Sequence, residues 1–128
     1  IGDTVRVSIA GDPVREIHTA KAILQALALH RAEGVELVVC PTCARCQQDV
    51  VKIGQQVKNA VKGIDRPLRV AVMGCVVNGP GEAADADIAF CAGKNKGFIY
   101  RGGEKIATVP SENIIPALLA EIEKLCRN

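Results

Sequence analysis

The stretch Val35-Glu36-Leu37-Val38-Val39-Cys40-Pro41-Thr42-Cys43 decides the fold, because a short apolar run leads directly into a pair of cysteines. The run from 35 to 39 predicts a strand. A helical pattern follows from Asp49 to Val61, with apolar residues on one side at Val50, Ile53, Val57 and Val61. A strand that ends at two cysteines and is followed by a helix is therefore the first unit of the fold.

A second strand, Leu68 to Met73, also ends at a cysteine, since Gly74-Cys75 follows it directly. Neighbouring strands can bring the segments after their ends to one edge of a sheet. We therefore expect Cys75 to approach Cys40 and Cys43, although Cys75 comes 32 residues after Cys43 along the chain.

The rest of the chain predicts more strands and one helix. Asn78-Gly79-Pro80-Gly81 is dense in turn residues and predicts a loop. Three further strands are expected at 87–91, 97–100 and 105–109, the last two joined at Gly102-Gly103. Ser111 or Asn113 caps a final helix whose apolar side carries Ile115, Leu118, Leu119, Ile122 and Leu125. These elements predict an α+β fold, or a β-α-β core with a hairpin.

Residues 1–34 form a separate unit in this interpretation. Val5 to Ile9 predicts a strand, and Asp12-Pro13 opens a helix that carries Val14, Ile17, Leu24, Leu27 and Ala28 on one face. This unit has no partner strand of its own, and the only methionine is Met73. We therefore expect residues 1–34 to be the last unit of a larger α/β domain and residues 35–128 to form a second, more complete domain.

Composition excludes several functional classes. With 16 basic and 14 acidic residues, no basic block and only three aromatic residues, the chain lacks the charge and stacking surface of a nucleic-acid-binding protein. No apolar run approaches the ~20 residues of a membrane span, and no secretory signal is visible. We expect a cytoplasmic protein, in which six cysteines indicate metal binding or redox chemistry rather than disulfides.

The cysteine spacing is compatible with several sites. Cys40 and Cys43 have the spacing of two thiolates that bind one metal centre, and Cys46 repeats it. All three cysteines together with Cys75 could form a four-cysteine iron–sulfur or zinc site. Alternatively, Cys40, Cys43 and Cys75 could hold a cluster whose fourth ligand is Glu82, which leaves Cys46 out. On spacing alone the choice between Cys46 and Glu82 is even. A third hypothesis is a dithiol redox protein that uses Cys40 and Cys43, but this hypothesis gives Cys75 and Glu82 no role.

Other reactive side chains have simpler explanations. Cys91 ends a predicted strand and Cys126 lies on the apolar side of the last helix, so both are expected to pack as small buried hydrophobes. Asn78 is a turn residue on this basis. Four cations can attract a phosphorylated substrate or an acidic electron donor, although such residues are more often solvated surface: Arg31, Arg45, Lys94 and Lys96.

Two segments resemble the cluster motifs of the 4-hydroxy-3-methylbut-2-enyl diphosphate synthase family. They are Cys40-Pro41-Thr42-Cys43 and Met73-Gly74-Cys75-Val76-Val77-Asn78-Gly79-Pro80-Gly81-Glu82. The opening residues, Ile1 to Ser8, resemble the last strand of that family's TIM barrel, and Asp12-Pro13 resembles the start of its last helix. The resemblance covers essentially the whole chain.

The resemblance implies a fold. Residues 35–128 would be an α/β sandwich with a mixed β-sheet and flanking helices, similar to the [4Fe-4S] domains of sulfite and nitrite reductases. Residues 1–34 would be the remnant strand and helix of the barrel.

The resemblance also implies a chemistry. The family reductively converts 2-C-methyl-D-erythritol 2,4-cyclodiphosphate to 4-hydroxy-3-methylbut-2-enyl diphosphate in the non-mevalonate isoprenoid pathway, with two electrons from ferredoxin or flavodoxin. Carried onto this sequence, the [4Fe-4S] ligands are Cys40, Cys43, Cys75 and Glu82, and Asn78 contacts the cyclic diphosphate. Glu82 is the ligand that substrate displaces, which gives Glu82 and Asn78 catalytic roles.

Members of the family act as homodimers in which a barrel closes on a cluster domain, so these 128 residues alone are expected to be inactive. Cys46 departs from the pattern, because the family generally lacks a cysteine there. The resemblance therefore favours Glu82 as the fourth ligand. The rival from another class remains a structural zinc module that uses Cys40, Cys43, Cys46 and Cys75.

Overall fold

The computed structural model describes residues 3–30 and 33–127. The chain divides into two compact units, Ile1–Ala32 and Glu33–Asn128. Of the residues discussed above, Ile1, Gly2 and Arg31 lie outside the described part.

Within residues 3–30, the first unit contains one helix, α1 (Val14–Ala26). The Asp12 carboxylate accepts a hydrogen bond from the Val14 backbone N–H at 3.0 Å, and Pro13 stands at the N-cap. The predicted strand from Val5 to Ile9 is wrong, because this segment has no regular structure. A strand requires a hydrogen-bonded neighbour. The helix buries none of its residues, and Ile17 is 60% exposed.

The second unit is a five-stranded mixed sheet with helices, an α+β fold. The strands lie side by side in chain order, β1 and β2 parallel, β2 and β3 parallel, and β3, β4 and β5 antiparallel. The elements are β1 (Val35–Val39), α2 (Val50–Ala60), β2 (Leu68–Met73), α3 (Gly79–Glu82), β3 (Ile88–Gly93), β4 (Lys96–Arg101), β5 (Glu104–Pro110), a 3-10 turn (Ser111–Asn113) and α4 (Ile114–Arg127).

One face of the sheet carries the main core. Helices α2 and α4 contact each other and cover this face, which we call the helix face. Its buried strand side chains occupy alternate positions, as the pleat requires. They are Leu68, Val70 and Val72 on β2 and Ile88, Phe90 and Ala92 on β3. The helices contribute Val50 and Val57 of α2, Val61 at its end, and Ile114, Leu118 and Ile122 of α4.

The opposite face, which we call the open face, is lined by smaller residues. Its buried side chains are Ala71, Met73, Ala83, Ala86, Ala89 and Cys91, with Val38, Cys40 and Tyr100 packed against them. The short helix α3 lies over this face, where a Cβ at Gly79 would come within 2.9 Å of the Met73 Cβ. Small side chains on the strands therefore leave room for the segment that follows Cys75.

Most predicted elements of the second unit are confirmed. The strands at 35–39 and 68–73 and the helix near 49–61 form, and Asp49 caps that helix by accepting a hydrogen bond from the Lys52 N–H. The hairpin turns at Gly102 and Gly103, both with positive φ. The predicted loop at Asn78 to Gly81 is wrong in part. Gly79–Glu82 is a single helical turn, because the N–H groups of Glu82 and Ala83 bond to the carbonyls of Asn78 and Gly79.

None of the helices in the described residues is long and apolar enough to cross a membrane.

Candidate functional site

The cysteine segment after β1 is tied by its backbone to the end of β2. The Cys40 N–H donates to the Val72 carbonyl at 2.9 Å, and the Gln47 N–H donates to the Gly74 carbonyl at 2.8 Å. Between them, the Cys46 N–H closes a turn on the Cys43 carbonyl. The parallel pairing of β1 and β2 therefore places the 40–47 segment beside Gly74-Cys75, as the sequence predicts.

Gln48 connects this segment to the β3–β4 turn, a role that the sequence did not indicate. Its side-chain amide donates to the Gly93 carbonyl at 2.9 Å, to the Lys96 carbonyl at 2.8 Å and to the Ser111 hydroxyl at 3.2 Å. Two of these partners are backbone groups far away in sequence, so no local pattern marks Gln48.

Cys75 is buried, with 8% of its surface exposed, and the residues after it surround its sulfur with donors. The backbone N–H groups of Asn78, Val77 and Gly79 bond to the thiolate and lower the pKa of Cys75 below the usual 9.0. The positive charge of Arg45 contributes in the same direction, against the opposing effect of burial. The turn thus stabilises Cys75 as a thiolate, the form that binds metal.

Cys91 lies close to Cys75 but has the opposite character. Burial, and secondarily the charge of Cys75, raises the pKa of Cys91 to about 12. A Cβ at Gly79 would lie 3.0 Å from the Cys91 sulfur. The prediction that Cys91 and Cys126 are packing residues is confirmed, because Cys91 is fully buried and Cys126 packs against the helix-face core.

Cys46 lies on the other side of the sheet from Cys40. Its side chain packs against the helix-face core, whereas Cys40 packs against the open-face cluster. The Cys46 thiol donates to the Gln48 carbonyl at 3.0 Å. This bond and this packing turn Cys46 away from the face on which Cys40 lies.

Glu82 and Asn78 are exposed and belong to the segment around α3. Glu82 lines a recess of about 220 Å³ on the open face with Val38, Arg69, Ala71, Ala83, Asp85 and Ala86. The Asn78 side chain makes no capping bond to α3, although its backbone N–H faces Cys75.

The predicted ligands are not gathered, although Cys40 and Cys75 follow neighbouring parallel strands and Glu82 lies on the same face as Cys40. Cys40 is half-buried and its thiol bonds to the Pro41 carbonyl, Cys43 is exposed, and all six cysteines are free. In residues 3–30 and 33–127, no three His, Cys, Asp or Glu side chains are positioned to hold a metal ion. Cys43 and Glu82 are both exposed, so side-chain rotation is sterically open to them.

The donor set suits an iron–sulfur group. Thiolates are the usual ligands of such clusters, and Cys75 is already stabilised in that form. Backbone N–H groups around a ligand sulfur are also one of the ways in which proteins adjust a cluster's potential. The residues present therefore fit the group that the resemblance implies.

Comparison with known proteins identifies a family that matches this chain. The family described as GcpE protein C-terminal domain matches residues 36–124. Curated relatives named 4-hydroxy-3-methylbut-2-en-1-yl diphosphate synthase (flavodoxin) are similar over nearly the whole chain. The relative from Geobacter sulfurreducens is 50% identical, covering 98% of this chain and 35% of its own length.

Two further relatives carry the same name. The one from Dehalococcoides mccartyi is 52% identical, over 98% of this chain and 36% of the relative. The one from Caldanaerobacter subterraneus subsp. tengcongensis is 49% identical, over 99% of this chain and 36% of the relative. The chain thus spans about a third of the length of these relatives.

Proposed function

Because this chain belongs to the GcpE protein C-terminal domain family, we propose that it is the reducing part of a 4-hydroxy-3-methylbut-2-enyl diphosphate synthase. The proposed reaction consumes 2-C-methyl-D-erythritol 2,4-cyclodiphosphate, two electrons and two protons, opens the ring and removes a hydroxyl as water. The relatives whose sequences are about 50% identical to this chain carry the name of this synthase.

The arrangement of Cys40 and Cys75 supports the proposal most directly. These two residues follow two neighbouring parallel strands, and the turn after Cys75 directs three backbone N–H groups at its sulfur. A structural zinc site needs only four donors in a tetrahedron. Hydrogen bonds to a ligand sulfur are one of the means by which a protein adjusts the potential of a redox cluster.

We assign Cys40, Cys43, Cys75 and Glu82 as the residues that hold a [4Fe-4S] cluster. When bound, the cluster supplies single electrons and a Lewis-acidic iron. Three thiolates and one carboxylate leave one iron with a harder, more easily exchanged ligand. Glu82 is the only one of the four that is not a thiol, and it lies on the same open face as Cys40.

The chain's own residues bind and orient in this proposal. The N–H groups of Asn78, Val77 and Gly79 lower the pKa of Cys75 and so favour its thiolate form. Asn78 has an exposed side chain beside that turn, where its amide can hydrogen-bond a substrate oxygen. Met73, Ala83 and Cys91 keep water from the inner side of the same turn because all three are buried.

The partners follow from the family. We propose flavodoxin as electron donor, with ferredoxin as the alternative, and a homodimer of the intact enzyme in the cytoplasm. The diphosphate is bound by a TIM barrel, to which residues 1–34 contribute the last unit, with α1 as its helix. Residues 35–128 are then the cluster domain, similar to those of sulfite and nitrite reductases.

Anaerobic reconstitution with iron and sulfide tests the cofactor. We expect broad absorbance near 400 nm and about four iron and four sulfide per chain. The colour should bleach on reduction. Cys75→Ser should abolish the incorporation, whereas Cys126→Ser, which alters a packing cysteine, should not.

Two outcomes would overturn the proposal. Colourless protein that takes up one zinc per chain, and loses it in a Cys46→Ser variant, indicates the structural zinc module of Cys40, Cys43, Cys46 and Cys75. Metal-free protein that forms a reversible disulfide between Cys40 and Cys43 indicates the dithiol redox protein.

A further inference from the structure

The open face carries a patch of lysines around one aromatic ring, beside the cysteine segments. The ammonium of Lys96 lies 5.3 Å from the centroid of the Phe98 ring, and that of Lys105 lies 5.6 Å from it. Lys94 is exposed in the adjoining β3–β4 turn. We call Lys94, Lys96, Phe98 and Lys105 the lysine patch.

The lysine patch adjoins the candidate cluster site through two sets of contacts. Phe98 is the cross-strand partner of Cys91, whose sulfur faces Gly79 in the turn after Cys75. On the other side, Gln48 bonds to the Lys96 and Gly93 carbonyls and so connects the patch to the 40–47 segment. A molecule that covers Phe98 therefore lies next to the residues around Cys75.

In the part of the chain that the structure describes, no lysine of the patch belongs to an ion pair. Ion pairs of the second unit join Arg69 to Glu36, Arg101 and Lys124 to Glu121, and Arg127 to Glu123. None of these pairs includes a lysine of the patch. Glu104, the neighbour of Lys105 in β5, is the cross-strand partner of Arg101.

We propose that the lysine patch is the docking surface for the electron donor, an acidic electron-carrier protein of the flavodoxin class. This inference rests on the proposed function, which requires such a donor. An interface that receives electrons must lie near the cluster ligands, and the patch does. Positive charge around a half-buried aromatic ring also has the composition of an interface, with an aromatic anchor and a charged rim.

Apolar neighbours favour a protein over a small anion. Ile106, on the strand that carries Lys105, is 43% exposed, and Val77, two residues after Cys75, is 70% exposed. A free phosphate gains nothing from such side chains. An acidic protein surface can cover them while its carboxylates meet the lysines.

The test is a titration of the isotopically labelled, cluster-reconstituted chain with oxidised flavodoxin, followed by NMR and calorimetry at low ionic strength. We expect shifts at the exposed residues of β4 and β5. Lys96→Glu combined with Lys105→Glu should weaken the Kd by on the order of tenfold or more, and added salt should weaken it too.

A matched control lies on another part of the same unit. Lys58 and Lys62 are exposed and line an apolar groove between α2 and β1, with Val35, Leu37, Val39, Val51, Gly54, Gln55 and Val61. Lys58→Glu combined with Lys62→Glu changes the net charge equally. It should leave the Kd within about twofold.

The same variants separate a failed docking surface from a failed function. Dithionite, a small reductant that needs no docking surface, should reduce the cluster at the same rate in the unchanged chain and in both variants. Reduction of the cluster by reduced flavodoxin should be slower only in the patch variant. Equal slowing in both variants, slowing in the control alone, or shifts on the patch with inorganic diphosphate but not flavodoxin would overturn the docking assignment. A chain that forms no cluster would instead contradict the proposed function.

Discussion

The sulfur of Cys46 lies against Gly74, the residue directly before Cys75. A Cβ at Gly74 would come within 2.8 Å of that sulfur and 3.5 Å of the Cys46 Cβ. Real Cβ atoms do not approach so closely, so the glycine is required by its neighbour rather than by its own backbone. The contact makes Cys46 a packing residue behind the turn that carries Cys75.

Gly74→Ala should destabilise the fold through this contact. The Cys46 thiol is held by its bond to the Gln48 carbonyl, and overpacking of this kind costs about 1–3 kcal/mol. Chemical denaturation measures the loss. The double variant Gly74→Ala with Cys46→Ala should recover most of it because the clashing sulfur is gone, and a loss that persists in the double variant contradicts the contact.

Glu82→Ala and Cys46→Ser distinguish the two candidates for the fourth ligand. We expect Glu82→Ala to keep iron and sulfide but to change the cluster's spectrum and its response to substrate, since one iron loses its carboxylate. Cys46→Ser should leave the spectrum unchanged because Cys46 faces the helix-face core. Absorption and electron paramagnetic resonance spectra measure both, and the reverse pattern would make Cys46 the ligand.

Gly79 and Gly81, two glycines of α3, should respond oppositely to alanine. A methyl group at Gly79 would meet the Met73 Cβ at 2.9 Å and the Cys91 sulfur at 3.0 Å, whereas the space at Gly81 is open. Gly79→Ala should cost about 1–3 kcal/mol of unfolding free energy and disturb the turn around Cys75. Gly81→Ala should be neutral or stabilising by up to ~1 kcal/mol, from helix propensity.

The two alanine variants are compared by urea denaturation and by the rate at which Cys75 is alkylated. If Gly79→Ala matches Gly81→Ala in both measurements, the close packing of α3 on the open face is wrong.

Glu121 should make stability depend on acid pH. The hydrogen bond from Lys124, with the charges of Lys124 and Arg101, holds the pKa of Glu121 below its usual 4.5. A carboxyl with a lowered pKa stabilises the fold fully above its unfolded value and loses that contribution as pH falls through its folded value. Because Arg101 and Lys124 are partly exposed, the contribution is about 1 kcal/mol at most.

Thermal unfolding of Glu121→Gln and the unchanged protein across pH measures this effect. The two melting curves should differ above pH ~4.5 and converge in stronger acid. Glu123→Gln is the control, since Glu123 pairs with Arg127 in an exposed bond of 3.5 Å. If the difference in melting temperature between the Glu121 variant and the unchanged protein stays constant in acid, the lowered pKa of Glu121 is wrong.

Local pattern was sufficient for most of the second unit. The apolar run at Val35–Val39, the helical spacing after Asp49 and the glycines at Gly102 and Gly103 each specify their structure through neighbours in the chain. Their prediction needed only periodicity, capping and turn chemistry.

Two elements could not be predicted in this way. The segment from Val5 to Ile9 has a strand-like pattern, but a strand forms only where another strand supplies hydrogen bonds. Asn78 to Gly81 has the composition of a loop, yet Gly79–Glu82 forms a helical turn on the open face. There Gly79 fits closely against Met73 and Cys91, a contact that local composition does not reveal.

For the candidate site, the sequence by itself determined the candidate donors and their order: three cysteines after one strand, a fourth after the next, and a carboxylate seven residues later. Only the tertiary structure decided which side of the sheet each donor occupies, with Cys40 on the open face and Cys46 on the helix face. Spacing along a chain limits how far side chains can reach, but the pleat and the packing of α2 and α4 decide the direction in which they point.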